Sequence, residues 1–286
     1  MQFKLPTFLR PILMRPMLAF ALLLSATCAP ASALADMTNC TTISALPATI
    51  SVPGHYCLGT SLTTAASSGF AITVLANNVV LDCNENEITY TGIVGLTAIR
   101  GNARSDVEVR HCRLINFGRG FDFLSNSRRI WIHDNVVTGA KIAGISASGR
   151  DNEISSNLVT DTSGPNGIAV EAIAGSTALV SGNTVRTLNG TATALSGIRV
   201  FGAGRVILTN NVVRDVGIPT TTTSVAVKVD SDSALTPSPA VLVEGALFKG
   251  AGVRSYAVRA LTGTASSVCE NVELFGYGAT PTPGCL

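Results

Sequence analysis

Four stretches of the chain carry one pattern: Ile130-Trp-Ile-His-Asp-Asn135-Val-Val, Glu153-Ile-Ser-Ser-Asn157-Leu-Val, Leu179-Val-Ser-Gly-Asn183-Thr-Val and Val206-Ile-Leu-Thr-Asn-Asn211-Val-Val. In each, a short apolar strand runs into an Asn, and a second apolar strand begins directly after it. The Asn residues stand 22, 26 and 28 positions apart (135 to 157, 157 to 183, 183 to 211). A period in the twenties with short strands points to a solenoid, because no single unit can bury its apolar side chains alone and the units must stack.

The repeat extends beyond these copies. A strand of the form apolar-x-apolar, usually after Gly, opens each unit: Ile72-Thr-Val74, Ile99-Arg-Gly101, Phe121-Asp-Phe123, Ile145-Ser-Ala147, Ile168-Ala-Val170, Ile198-Arg-Val200, Val227-Lys-Val229 and Val258-Arg-Ala260. The pattern predicts an all-β chain of about eight coils with three short strands each. At ~4.8 Å per stacked strand the body would be about 35–40 Å long. Alternation assigns the faces. In the opening strands the flanking apolar residues point in and the middle residue points out. In the second strands Val109, Ile132, Ile154, Val180 and Leu208 point in.

The Asn column calls for a separate reason. A side-chain amide carries both donors and an acceptor, so stacked Asn residues at a tight bend can bond to one another and to turn backbone. Asn also tolerates the left-handed conformation that such a bend requires. Asn135, Asn157, Asn183 and Asn211 are therefore read as structural. Cys112 stands where this ladder would continue, and Cys83 at or near the same point one coil earlier. They would form either a disulfide between neighbouring coils or a pair of buried thiols.

Residues 1–35 read as an export signal: Lys4, Arg10 and Arg15, an apolar run from Met17 to Leu24, and Ala33-Leu34-Ala35 as cleavage site. That apolar run is too short to span a bilayer. The segment holds three of the 20 basic residues and no acid, so the remainder carries 17 basic against 18 acidic groups. No basic run survives, which argues against a nucleic-acid partner. Six of the seven cysteines (40, 57, 83, 112, 269 and 285) lie beyond the segment, an even number that suits disulfides in the periplasm or outside the cell. The expected state is a monomer.

Gly-(apolar)-x-(apolar), a turn, an apolar strand ending in Asn and a third strand together resemble the right-handed parallel β-helix of the pectate lyase-like superfamily. The resemblance covers about residues 72–279. Leu46-Pro-Ala-Thr-Ile-Ser-Val-Pro-Gly54-His-Tyr-Cys-Leu, followed by Ile72-Thr-Val and Val79-Val-Leu-Asp82, resembles the entry segment of secreted and periplasmic members. It implies an N-terminal cap over 36–71 that shields the open strand edges, then a β-helix over 72–286 with a short C-terminal tail. Cys40 with Cys57 would staple the cap and Cys269 with Cys285 the other end. Loops of about 15–17 residues would make each worth ~3 kcal/mol.

The resemblance also implies that a polysaccharide lies along the first-strand face. The outward column there reads Thr73, Arg100, Asp122, Ser146, Ala169, Arg199, Lys228 and Arg259, and the next outward position gives Glu171, Phe201 and Asp230. The longest turns, 187–196, 216–224 and 231–239, border the same region. Stacked cations beside carboxylates suit an acidic sugar: the cations neutralise a uronate carboxylate, and a base removes its acidified α-proton by β-elimination or epimerisation. On this reading Arg199, Lys228, Glu171 and Asp230 are the candidate catalytic residues, with Phe201, Arg259, Asp122 and Arg100 binding substrate. Asp122 with Arg119 and Arg100 forms a second candidate group. No motif requires a cofactor, and a weakly held Ca²⁺ at Glu171 and Asp230 fits the charge pattern.

A competing reading is a solvated face whose charges pair across strands, on an envelope or surface rod that presents its turns to a protein or glycan. Motifs of the family's enzymes are absent: Asn-Thr-Asp, Asp-Asp, Gly-His-Gly and Arg-Ile-Lys of the glycosidases, the Asp-rich calcium cluster and paired Arg of the pectate lyases, and Asp-Pro-His-Asp of the alginate epimerases. No catalytic residue therefore carries over. Asp161 reads as a turn residue and Arg104-Ser-Asp106 as a charged turn. Arg110, Trp131 and His133 would project from the second-strand face, with His133 a lone surface histidine. His111 beside Cys112 lacks the partners of a zinc site, and His55 falls in the cap.

Overall fold

The computed structural model describes residues 39–277 apart from Val94 and the segments 191–193, 217–222, 231–239, 245–246, 253–254, 261–266 and 271–272, with side chains described as far as Leu242. The region read as a signal and the proposed Cys269–Cys285 pair lie outside the described residues, as do parts of the three long turns. No α-helix occurs among the described residues.

Every strand pair is parallel, and the strands stack in three faces. The first-strand face runs through 70–74, 97–102, 119–123, 143–150, 166–172, 194–202, 223–230 and 255–260. Its outward column is in register rung by rung, from Thr73 to Arg100, Asp122, Ser146, Ala169, Arg199, Lys228 and Arg259. The second-strand face aligns Leu81, Val109, Ile132, Ile154, Val180 and Leu208. One continuous strand, Arg119–His133, turns the corner between these two faces. The third-strand face is a separate sheet of nine strands, aligning Ile88, Leu114, Val137, Val159, Val185 and Val213.

The inward residues of the three faces meet in one core and are at most 1 % exposed. β-Branched residues dominate because each strand is flanked on both edges and packs its inner side chain against two rungs. The Gly before many opening strands also has a steric cause. A Cβ on Gly167 would stand 2.4 Å from Cγ1 of Val185, and one on Gly197 2.2 Å from Cγ1 of Val213. The third-strand valines fill the space that a side chain would take.

At the corner after the second strand the Asn residues stand in file. Asn135 Nδ2 donates to Asn157 Oδ1, Asn157 Nδ2 to Asn183 Oδ1, and Asn183 Nδ2 to Asn211 Oδ1, each at 3.0 Å. The same oxygens accept the backbone N–H of the preceding rung's Asn at 3.0–3.1 Å. One expectation is corrected: positive φ belongs to the residue before each ladder Asn, at Asp134, Ser156, Gly182 and Asn210. The turn residue bends the chain, and the ladder Asn is left free to point inward and cap the open backbone groups.

Cys112 extends the ladder as the sequence suggested, its N–H donating to Asn135 Oδ1 at 2.9 Å. Of the two alternatives the disulfide forms, with Cys83 and Cys112 at a Cα separation of 4.7 Å. Cys40 and Cys57 are also bonded. The segment expected to cap this end forms strands 48–50, 54–58 and 62–64, which add one rung to each face. Strand 41–43 pairs beside 54–58.

Candidate functional site

Strands 194–202 and 223–230 place Arg199 and Lys228 on neighbouring rungs, pointing the same way because the register is unbroken there. Asp230, two residues after Lys228 on the same face, receives both. Its Oδ2 accepts from Arg199 Nε at 2.7 Å and from Lys228 Nζ at 2.9 Å. The Arg199 guanidinium also lies 4.8 Å above the Phe201 ring centroid. Phe201 is in register with Glu171 on one side and Asp230 on the other. The structure thus brings Arg199, Lys228, Asp230 and Phe201 into contact, with Glu171 bordering them. Arg259 follows Lys228 in the backbone register; its side chain lies outside the described residues.

The electrostatic reason is simple. Two cations stacked about 4.8 Å apart repel, and the poorly exposed Asp230 carboxylate, bonded to both, offsets that repulsion. Among the described residues no group of three or more His, Cys, Asp or Glu gathers to hold a metal. Asp230 already binds two cationic side chains, so the Glu171 and Asp230 pair is a poor fit for Ca²⁺.

Asp122 lies three rungs from Arg199 and four from the strand of Asp230, beside Arg119 Nε at 3.9 Å. Burial pushes its carboxyl above the usual value, against the pull of Arg119, Arg100 and a Ser146 hydrogen bond. Arg100 itself stacks over Phe70 at 4.3 Å. Three to four rungs amount to about 14–19 Å, so the Asp122 and Asp230 groups are separate points along one face. Asp161 has φ of 55° and accepts from Thr160 Oγ1 at 2.9 Å, a local turn contact.

The second-strand face holds a network that sequence reasoning did not assemble. Arg110 bridges Asp82 at 2.8 Å and Glu108 at 3.0 Å, and His111 Nδ1 lies 3.1 Å from Asp82 Oδ1. His133 is not a lone surface residue. Its side chain is 9 % exposed, with Nε2 3.1 Å from Glu108 Oε1 and Nδ1 2.7 Å from Asp134 Oδ2. Nor is Arg104-Ser-Asp106 merely a charged turn: 105–110 is a strand, and Asp106 is gripped by Arg129 through two bonds of 2.6 and 2.7 Å. The available signal was positional. The register sets Asp82 beside Arg110 and Arg110 beside His133, which places their side chains on one face.

Asp82 gives this network a pH signature. Burial raises its carboxyl, but the Asn84 N–H at 2.8 Å, Arg110 and His111 outweigh that and hold it below the usual value. A depressed carboxylate stabilises the fold above its unfolded pKa of about 3.9 and loses that contribution as pH falls through the folded value. Asp82→Asn is expected to cost about 2 kcal/mol at pH 7. The gap to wild type should close in urea melts repeated below the folded value; a gap independent of pH would refute the assignment.

No family model and no curated protein matches the sequence. Among solved structures the chain is similar to the enzymatically active domain of tailspike protein 2 of bacteriophage CBA120, with a TM-score of 0.55 at 13 % identity over 82 % of this chain and 38 % of that one. It is also similar to a hyperthermoactive exopolygalacturonase from Thermotoga maritima, with a TM-score of 0.51 at 12 % identity over 77 % of this chain and 54 % of that one. The chain spans about two-fifths to half of the length of these neighbours. Identity this low speaks to architecture and leaves the chemistry to this chain's own residues. Three parallel faces in register, an inward-facing core and these neighbours together make the chain a right-handed parallel β-helix.

Proposed function

We propose that this protein is an exported β-helix that binds an acidic polysaccharide along its first-strand face. One observation carries the reading: Arg199 and Lys228 are stacked on adjacent rungs and both held by the buried carboxylate of Asp230. Pre-positioned cations lose little side-chain entropy when a uronate carboxylate arrives. Phe201 beside them offers apolar surface to a sugar ring, and Arg100 with Arg119 gives a second cationic point down the same face. A polymer, and not a monosaccharide, would reach both. Two disulfides suit an oxidising compartment. A fold neighbour described as an exopolygalacturonase adds an analogy of fold.

Binding is favoured over cleavage because both cations are engaged by Asp230, which leaves neither as a ready base at neutral pH. Alanine at Arg199 or Lys228 is expected to weaken uronate-polymer binding about tenfold each, and added salt should weaken it in wild type by screening. Calorimetry on the purified protein checks this, and ultraviolet absorbance of an unsaturated product reads out β-elimination in the same samples. Undiminished binding in the double variant would refute the assignment. The same charge pairing favours a second reading, a non-catalytic surface rod, which would stand if no glycan of any class bound.

A further inference from the structure

All three histidines of the chain, and its single tryptophan, fall on the second strands or directly after one, away from the first-strand face. There an open depression of about 360 Å³ is lined by Val80 and Trp131 on its apolar side and by His55, Asp106, Glu108 and Arg129 on its polar side. Trp131 is 41 % exposed, yet its position is over-determined. Its indole N–H donates to Ser155 Oγ at 3.1 Å, and Ser155 in turn donates to Glu153. The ring stacks on His133 at 4.0 Å between centroids, 28° from parallel. His133 is itself held at both ring nitrogens by Glu108 and Asp134.

We propose that this depression is a saccharide-binding site for a neutral pyranose, with Trp131 as its stacking platform. An indole fixed on one side and exposed on the other meets the apolar face of a sugar ring without first losing rotamer freedom. Convergent polar groups around an apolar floor fix orientation. Asp106 and Glu108 are acceptors with lone pairs beyond those their present partners use, and Arg129 is a donor. Charge selects the class of sugar. Asp82, Asp106, Glu108, Asp134 and Glu153 outnumber Arg110, Arg128 and Arg129 on this face, which disfavours the uronates that the first-strand face would attract. This site stands independently of the first-strand reading.

Because Trp131 is the only tryptophan, its emission reports this one location. The full chain is titrated with neutral gluco-, manno- and galacto-oligosaccharides and with an oligogalacturonate, reading tryptophan fluorescence and calorimetry. A saturable emission change with a neutral oligosaccharide is expected, with the uronate at least about tenfold weaker. Trp131→Ala, whose side chain supports no core packing, should lower affinity about tenfold or more by calorimetry. Arg129→Gln keeps the reporter and should weaken binding about fivefold, whereas Arg214→Gln on the third-strand face should change nothing. The proposal is overturned by absence of a saturable response to every neutral probe, by tighter uronate binding at Trp131, or by unchanged affinity in both Trp131→Ala and Arg129→Gln.

Discussion

Asn157→Ala is expected to lower the unfolding free energy by about 4 kcal/mol, more than any substitution on the charged faces. The amide sits at the middle of the ladder and is 2 % exposed. Its oxygen accepts from the backbone N–H of Asn135 at 3.1 Å and from Asn135 Nδ2 at 3.0 Å. Its nitrogen donates to Ile132 O at 2.8 Å, to Ser155 O at 2.9 Å and to Asn183 Oδ1 at 3.0 Å. Alanine removes all five bonds and strands a buried Asn135 N–H where no water reaches, a cost of about 1–3 kcal/mol per orphaned group. Bonds in series also polarise one another, so the rungs above and below weaken too. Asn157→Asp is a sharper probe: it keeps the acceptor but turns a donor toward Asn183 Oδ1 into a negative charge. That variant should be unstable at neutral pH and recover as the carboxyl is protonated. Urea unfolding followed by circular dichroism measures both, and a fall in the m-value would report the solenoid opening in two parts. A loss under about 1 kcal/mol for Asn157→Ala would show the ladder to be a consequence of the stack and not a cause of its stability.

Removing the disulfide at the N-terminal end of the ladder has the next largest effect. Cys83→Ala with Cys112→Ala is expected to cost about 3–4 kcal/mol, because the bond closes a loop spanning 29 positions in the unfolded chain. Cys40→Ala with Cys57→Ala closes 17 and should cost about 3 kcal/mol. The two bonds should also differ in accessibility. Cys83 and Cys112 are both fully buried in the core, so a mild reductant should spare that bond in the folded protein, while the partly exposed Cys40 lets the end staple open first. Thiol labelling followed by peptide mapping distinguishes them. Equal labelling of both pairs before unfolding would contradict the buried placement.

The architecture was legible because a parallel stack leaves little freedom. A one-residue slip would turn every inward side chain outward, so the alternation in Ile168-Ala-Val170 or Ile198-Arg-Val200 fixes direction without coordinates. The outward column from Thr73 to Arg259 followed from that alone. What stayed hidden was lateral. The distances from Asp82 to Arg110 and from Arg110 to His133 along the chain differ, and only the turn lengths decide whether those residues share a column. His133 therefore read as isolated, although two carboxylates and an indole enclose it. The left-handed position at each corner was likewise misplaced by one residue, since Asn is suited to both the bend and the ladder and pattern alone does not separate the two roles.

From its residues alone this chain settles the coil, the three faces and the side of each strand that meets the core, because burial of apolar side chains in a stack with period two admits one arrangement. Tertiary structure decided which charged groups touch. Whether Asp230 holds both Arg199 and Lys228, or Glu108 reaches His133, depends on rung spacing and rotamers within a few ångströms. No hydrophobic pattern encodes that, since every one of those pairings leaves the core equally well buried.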